Sequence, residues 1–197
     1  DRDRPQGYQM DPIEMRSRME ALAEEPDRLR RRLIALGLLT AALAPHGITP
    51  ILVGGTALEL YTAGGYNTGD VDLALPTAPE VNAAFSTLGF EKEGRFWVRA
   101  DLDLLFEAPA PAGLPGEDAP RTVLDIERLQ VHVIGIADLL IDRLRGWVHW
   151  RSDEDARWTR RLALLHADSI DWGYVRSRVE KDADEAKALD QLLGELP

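Results

Sequence analysis

The stretch VGGTALELYTAGGYNTGDVDLAL, residues 53–75, constrains this chain more than any other. A short apolar run at 51–53, with two β-branched residues, reads as a buried strand and stops at Gly54-Gly55. Residues 56–62 are helix-prone, 64–69 form a loop, and 71–75 read as a second strand. Residues two apart on a strand share a face, so Asp70 and Asp72 point one way while Val71, Leu73 and Leu75 point to a core. Adjacent carboxylates repel each other, and a fold tolerates them where a cation sits between them. Mg²⁺ prefers such oxygens and usually binds with substrate phosphates as co-ligands. Two glycines after a strand let backbone approach a ligand closely, and the N-terminus of the next helix favours an anion. Thr56 adds a hydroxyl. The glycine corner is then the phosphate half of a nucleotide site and the aspartates its metal half. Taken singly, the glycines make an ordinary tight turn and the aspartates a polar edge strand; the pairing is what carries specificity.

The remaining pattern places this pair within an α+β chain, a small mixed sheet flanked by helices with a helical tail. Residues 11–25 and 26–44 read as helices, the second with Leu29, Leu33, Leu36, Leu39 and Leu43 at helical spacing. Arg28, Arg30, Arg31 and Arg32 open that helix as a solvated basic face. Residues 77–88 form an amphipathic helix with Thr77 as its N-cap. Strands follow at 96–98, 102–106, 122–126 and 130–134, and the Pro/Gly/Ala-rich segment 108–120 is a loop. Helices are expected at 138–150, 153–166 and 171–193. The division is a polar tail and short helix at 1–25, a core at 26–136 and a helical region at 137–197. Asp138, Asp142 and Arg143 are expected as surface helix pairs, and Trp147, Trp150 and Trp158 in a core or interface.

Composition removes several classes. No run approaches about 20 apolar residues, so no membrane span is expected. The chain has no cysteine, which rules out disulfides and thiolate metal sites and points to the cytoplasm. No pair among His46, His132, His149 and His166 has the spacing of a zinc helix motif. A net charge of −11 disfavours a dedicated nucleic-acid binder. Neither the P-loop nor the dinucleotide glycine fingerprint occurs.

Gly54-Gly55, a helix, and Asp70-Val71-Asp72 on the next strand resemble the nucleotidyltransferase superfamily that includes DNA polymerase beta, in particular its minimal bacterial members, some of them antitoxins. The resemblance runs from about residue 33 to 166 and takes in LGFEKEGRFWV, LDLLFEAP and ADLLIDRLRGWVHWRSDEDARW. It implies two-metal transfer of NMP from an NTP, ATP first, to a hydroxyl on a protein side chain or small molecule, with Mg²⁺ held by Asp70 and Asp72. Gly54, Gly55 and Thr56 would cradle the β- and γ-phosphates, with Asn67 and Thr68 in the nucleotide-binding loop. Relatives often carry an arginine in the loop before the first aspartate; here that loop reads Tyr66-Asn67-Thr68-Gly69, and Asn67 would bond a phosphate without charge. The family also needs a third carboxylate. On a continuous strand Asp101, Asp103 and Glu107 share a face. Asp103, matching a D-h-h pattern, is preferred as that carboxylate and as the third metal ligand, with Glu107, a glutamate-plus-proline variant, as the alternative; Asp101 is expected at the solvated strand edge. A toxin is the implied protein partner if the chain is an antitoxin. The alternative is a fold that neutralises a partner by contact with little or no catalysis.

Overall fold

The computed structural model describes residues 10–108 and 119–197; the expected tail at 1–9 and the centre of the expected loop, 109–118, lie outside them. The architecture is α+β, with a seven-stranded mixed sheet among the described residues and helices around it. The described chain separates into two compact units.

The first unit comprises residues 10–52, 68–108 and 123–132. It opens with α1 (Pro12–Glu20), capped by Asp11, whose side chain accepts from the backbone of Ile13 and Glu14. Helix α2 (Arg28–Leu43) follows, with Asp27 Oδ1 accepting from the Arg30 N–H at 3.0 Å. Leu33, Leu36, Leu39 and Leu43 are buried as their spacing requires, but so are Ile34, Ala35 and Leu38. Helix α2 is therefore enclosed on more than one face. Its Gly37 permits this: a Cβ there would stand 2.7 Å from Leu129 Cβ.

The strands are β1 (Ile51–Val53), β2 (Val71–Ala74), β3 (Glu91–Glu93), β4 (Phe96–Arg99), β5 (Leu104–Glu107), β6 (Arg121–Ile126) and β7 (Leu129–Ile134). Their order is β3-β4-β5-β2-β1-β7-β6. β4 pairs antiparallel with β5, Trp97 opposite Phe106, and β2 pairs parallel with β5, Asp72 opposite Glu107. Val71, Leu73, Leu104 and Phe106 are buried, while Asp72 and Glu107 on the alternate face are half-buried. Helix α4 (Pro79–Thr87) covers the apolar side. The ring of its Phe85 stacks on Trp97, centroids 4.3 Å apart, and meets Phe90 and Phe106 edge to face.

Three expectations fail here. Thr77 caps nothing; α4 starts two residues later behind Ala78, with Pro79 supplying a helical φ at the first position. β3 is an unforeseen edge strand, Glu91-Lys92-Glu93, exposed at each residue and paired with β4. The segment at 102–106 is not one strand, since residues 100–102 form a 3-10 turn ending in a left-handed Asp103 (φ 53°).

The second unit comprises residues 53–67, 119–122 and 133–197. It holds α3 (Gly54–Tyr61), α5 (Ile136–Trp150), α6 (Asp153–His166), α7 (Trp172–Val179) and α8 (Ala183–Glu195). Helix α5 is the hub, touching α3, α6, α7 and α8. The expected helix at 171–193 breaks where Asp182 turns to cap α8, accepting from the N–H groups of Asp184 and Glu185. Asp138, expected on a surface, is buried and accepts both its bonds from the Tyr174 hydroxyl, at 2.9 and 3.1 Å. Tyr61 donates to the Ile134 carbonyl at 2.8 Å, and its own carbonyl lies 2.7 Å from His166 Nε2.

Candidate active site

The carboxylate group is assembled by two neighbouring parallel strands of the first unit. β2 supplies Asp72, with Asp70 one step before the strand begins. β5 supplies Glu107 at its last position, in register with Asp72. Partners in a parallel pair project to the same face. Oxygens of Asp70, Asp72 and Glu107 accordingly lie within 4.8 Å of one another. All three residues are half-buried. Three hard oxygen donors at that spacing fit Mg²⁺ or Mn²⁺ far better than a soft metal.

Asp103 is not in this group. The turn at 100–102 breaks the period of two, and the left-handed backbone at Asp103 turns its carboxylate to Arg28 Nη2, 2.8 Å away at the surface. Asp is among the residues that adopt the left-handed conformation most readily. Asp101 is exposed, as expected at an edge. Its two oxygens accept from Arg99 at 2.9 and 2.7 Å, and that bond holds its carboxyl below the usual range. Glu107 has Arg95 Nε at 3.2 Å; the Glu107 side chain is 12% exposed and that of Arg95 72%. A cation already attends the carboxylates, but from solvent and on a flexible side chain.

The glycine pair belongs to the second unit. Gly54 opens α3 with φ 61°, a left-handed value that explains why glycine stands there. No side chain caps α3, and its first residues Gly54 and Gly55 are half-buried. Thr56 is fully buried. Asn67 is exposed, whereas the Thr68 hydroxyl donates to Asp70 Oδ1 at 2.8 Å.

The arginine cluster was read as a solvated face, and the fold overturns this for Arg32. That residue is 2% exposed, and its Nη2 donates to the Thr68 carbonyl at 2.6 Å. Arg28, Arg30 and Arg31 find Asp103, Glu25 and Glu127 carboxylates or the carbonyls of Glu25 and Leu102. One signal for the burial of Arg32 lies in the spacing: it stands four and seven residues before Leu36 and Leu39, on their face of the helix. In the second unit, Arg143 pairs with Asp142 and Asp155, while Glu185 accepts from Arg145 at 3.0 Å and lies 2.8 Å from His149 Nε2. Trp158 meets Tyr66 edge to face, Trp147 lies beneath Arg160, and Trp150 is 82% exposed.

No protein-family model matches the chain, and no curated protein matches it in sequence. Among solved structures, an antigenic nucleotidyltransferase-like protein from Paracoccidioides brasiliensis superposes with a TM-score of 0.57 at 16% identity, over 84% of this chain and 93% of that one. The fold is nucleotidyltransferase-like. More distant likenesses are two structures of the antibiotic-resistance factor ANT(2'')-Ia. One is in solution (TM-score 0.44, 15% identity, 82% of this chain and 89% of that). The other is a crystal complex with adenylyl-2''-tobramycin (0.46, 15%, 78% and 94%). At 16% identity the likeness to the Paracoccidioides protein speaks for the fold alone. No helix among the described residues is long and apolar enough to cross a membrane.

Proposed function

We propose that the protein is a nucleotidyltransferase that moves NMP from an NTP, ATP first, to a hydroxyl acceptor. The observation that carries this reading is the convergence of Asp70, Asp72 and Glu107 on one face of two paired strands, on a nucleotidyltransferase-like fold. These carboxylates would hold Mg²⁺. When bound, the ion supplies charge neutralisation at the triphosphate and makes the acceptor hydroxyl more acidic. Gly54 and Gly55 offer backbone N–H groups at an uncapped helix start to the β- and γ-phosphates. Asn67, exposed, is assigned a phosphate hydrogen bond. Glu107 takes the role of third carboxylate in preference to Asp103, which faces Arg28, and accepts the proton of the hydroxyl. The acceptor oxygen attacks the α-phosphorus, the bond to the bridging oxygen breaks, and pyrophosphate leaves. The acidic surface suits a protein or small-molecule acceptor better than RNA. An antitoxin that modifies a Tyr, Ser or Thr of its toxin is one form of this reading.

Calorimetry of ATP and GTP binding with and without Mg²⁺ tests it. Metal-dependent binding that disappears in Asp70→Asn/Asp72→Asn is the expected result. Absence of binding under every condition overturns the enzyme reading and leaves a contact-acting binding module.

A further inference from the structure

A buried guanidinium reaches the segment that carries Asp70. Arg32 sits in the first turns of α2, 2% exposed, and donates to the Thr68 carbonyl at 2.6 Å. The hydroxyl of the same residue donates to Asp70 Oδ1 at 2.8 Å. A chain of two hydrogen bonds thus runs from an enclosed helix to the first carboxylate of the group. Burying a guanidinium is costly unless its donors are met, and the arginines beside it stay nearer the surface. Arg28, Arg30 and Arg31 satisfy themselves at carboxylates and carbonyls nearby.

We infer that Arg32 is a positioning residue of the metal site, holding Asp70 through Thr68 in the orientation that binds a divalent cation. This rests on the reading of the triad given above. The Thr68 hydroxyl meets Oδ1 and so fixes the direction in which the Asp70 carboxylate is presented. Hydrogen bonds of this kind orient metal ligands, and their loss typically lowers metal affinity about 10- to 100-fold. The sign of the effect separates positioning from charge. A nearby positive charge repels a cation, so deleting Arg32 would tighten binding if charge were all that mattered.

Mn²⁺ is the probe, titrated by electron paramagnetic resonance into the full chain. Thr68→Val is expected to weaken Mn²⁺ binding by about 10-fold, Thr68→Ser to restore it, and Arg32→Met to weaken it in similar measure. The double variant should be no weaker than the worse single one, because both act along one path. Wild-type affinity in Thr68→Val, or tighter binding in Arg32→Met, overturns the inference. Should Arg32→Met fail to fold by circular dichroism, the Val and Ser pair at position 68 decides alone. If the wild-type chain binds no Mn²⁺, or Asp70→Asn binds it equally well, the triad reading itself falls and the inference with it.

Discussion

Removing one carboxylate from the triad should stabilise the metal-free protein, and Glu107→Gln is the cleanest way to do it. Its oxygens lie within 4.8 Å of those of both Asp70 and Asp72. One such repulsion amounts to about 0.9 kcal/mol at the dielectric of water and about 3.5 at an effective value of 20. Two repulsions vanish in the variant. Against them stands the loss of the Arg95 pair at 3.2 Å, worth at most about 1 kcal/mol for so exposed a guanidinium. The balance favours the variant by about 1 kcal/mol in EDTA, a rise in Tm of about 2–4 °C. Magnesium reverses the order: wild type gains about 2.7 kcal/mol at 100 times its dissociation constant, while the variant, short of a ligand, gains less. Thermal melts in EDTA and in Mg²⁺ at about 100 times its dissociation constant, at low ionic strength, read both effects. A variant less stable than wild type in EDTA, with an undiminished Mg²⁺ response, refutes the reasoning.

Gly37→Ala should lower stability by about 1 kcal/mol although alanine is the better helix former, because the new Cβ meets Leu129 Cβ at 2.7 Å and overpacking outweighs propensity; chemical denaturation measures it. Gly54→Ala should cost about 1 kcal/mol or more through its left-handed backbone, and weaken ATP binding in calorimetry by disturbing the start of α3. Tyr174→Phe strips Asp138 of the bonds it accepts from the Tyr174 hydroxyl and should cost about 1–3 kcal/mol at pH 7. Burial, and then Asp138, raise the Tyr174 phenol above its ordinary 10.0. Its contribution is therefore full below pH 10 and fades as pH rises through the folded value, so the gap between wild type and variant should close in alkaline urea melts.

Local patterns were legible where neighbours in sequence decide the outcome. The alternation Val71, Asp72, Leu73 predicted which side of β2 is core, and the leucine spacing from Leu33 to Leu43 predicted a buried face of α2. The reading slipped where a single backbone conformation or a distant partner decides. Asp101, Asp103 and Glu107 share a face only on an unbroken strand, and the turn at 100–102 breaks it. Nothing in the sequence near Glu91-Lys92-Glu93 announces a strand, because its pairing energy comes from β4 and not from buried side chains. Arg32 looked like its three arginine neighbours, and the Thr68 carbonyl it donates to lies 36 positions away. Asp138 looked like a surface residue because its partner, Tyr174, lies on another helix.

The outer edge of the sheet has a consequence for behaviour at high concentration. Glu91-Lys92-Glu93 reads the same in both directions. When two copies meet along β3 in register, parallel or antiparallel, glutamate faces glutamate and lysine faces lysine. Like charges opposite one another disfavour pairing, and charged edge strands resist recruiting a further sheet. Only a slip by one residue sets glutamate against lysine, and in so short a strand that slip forfeits part of an already small ladder. Association along this edge is thus disfavoured in register and shortened out of register, so the protein should stay colloidally stable there while added salt, by screening the charges, erodes the protection.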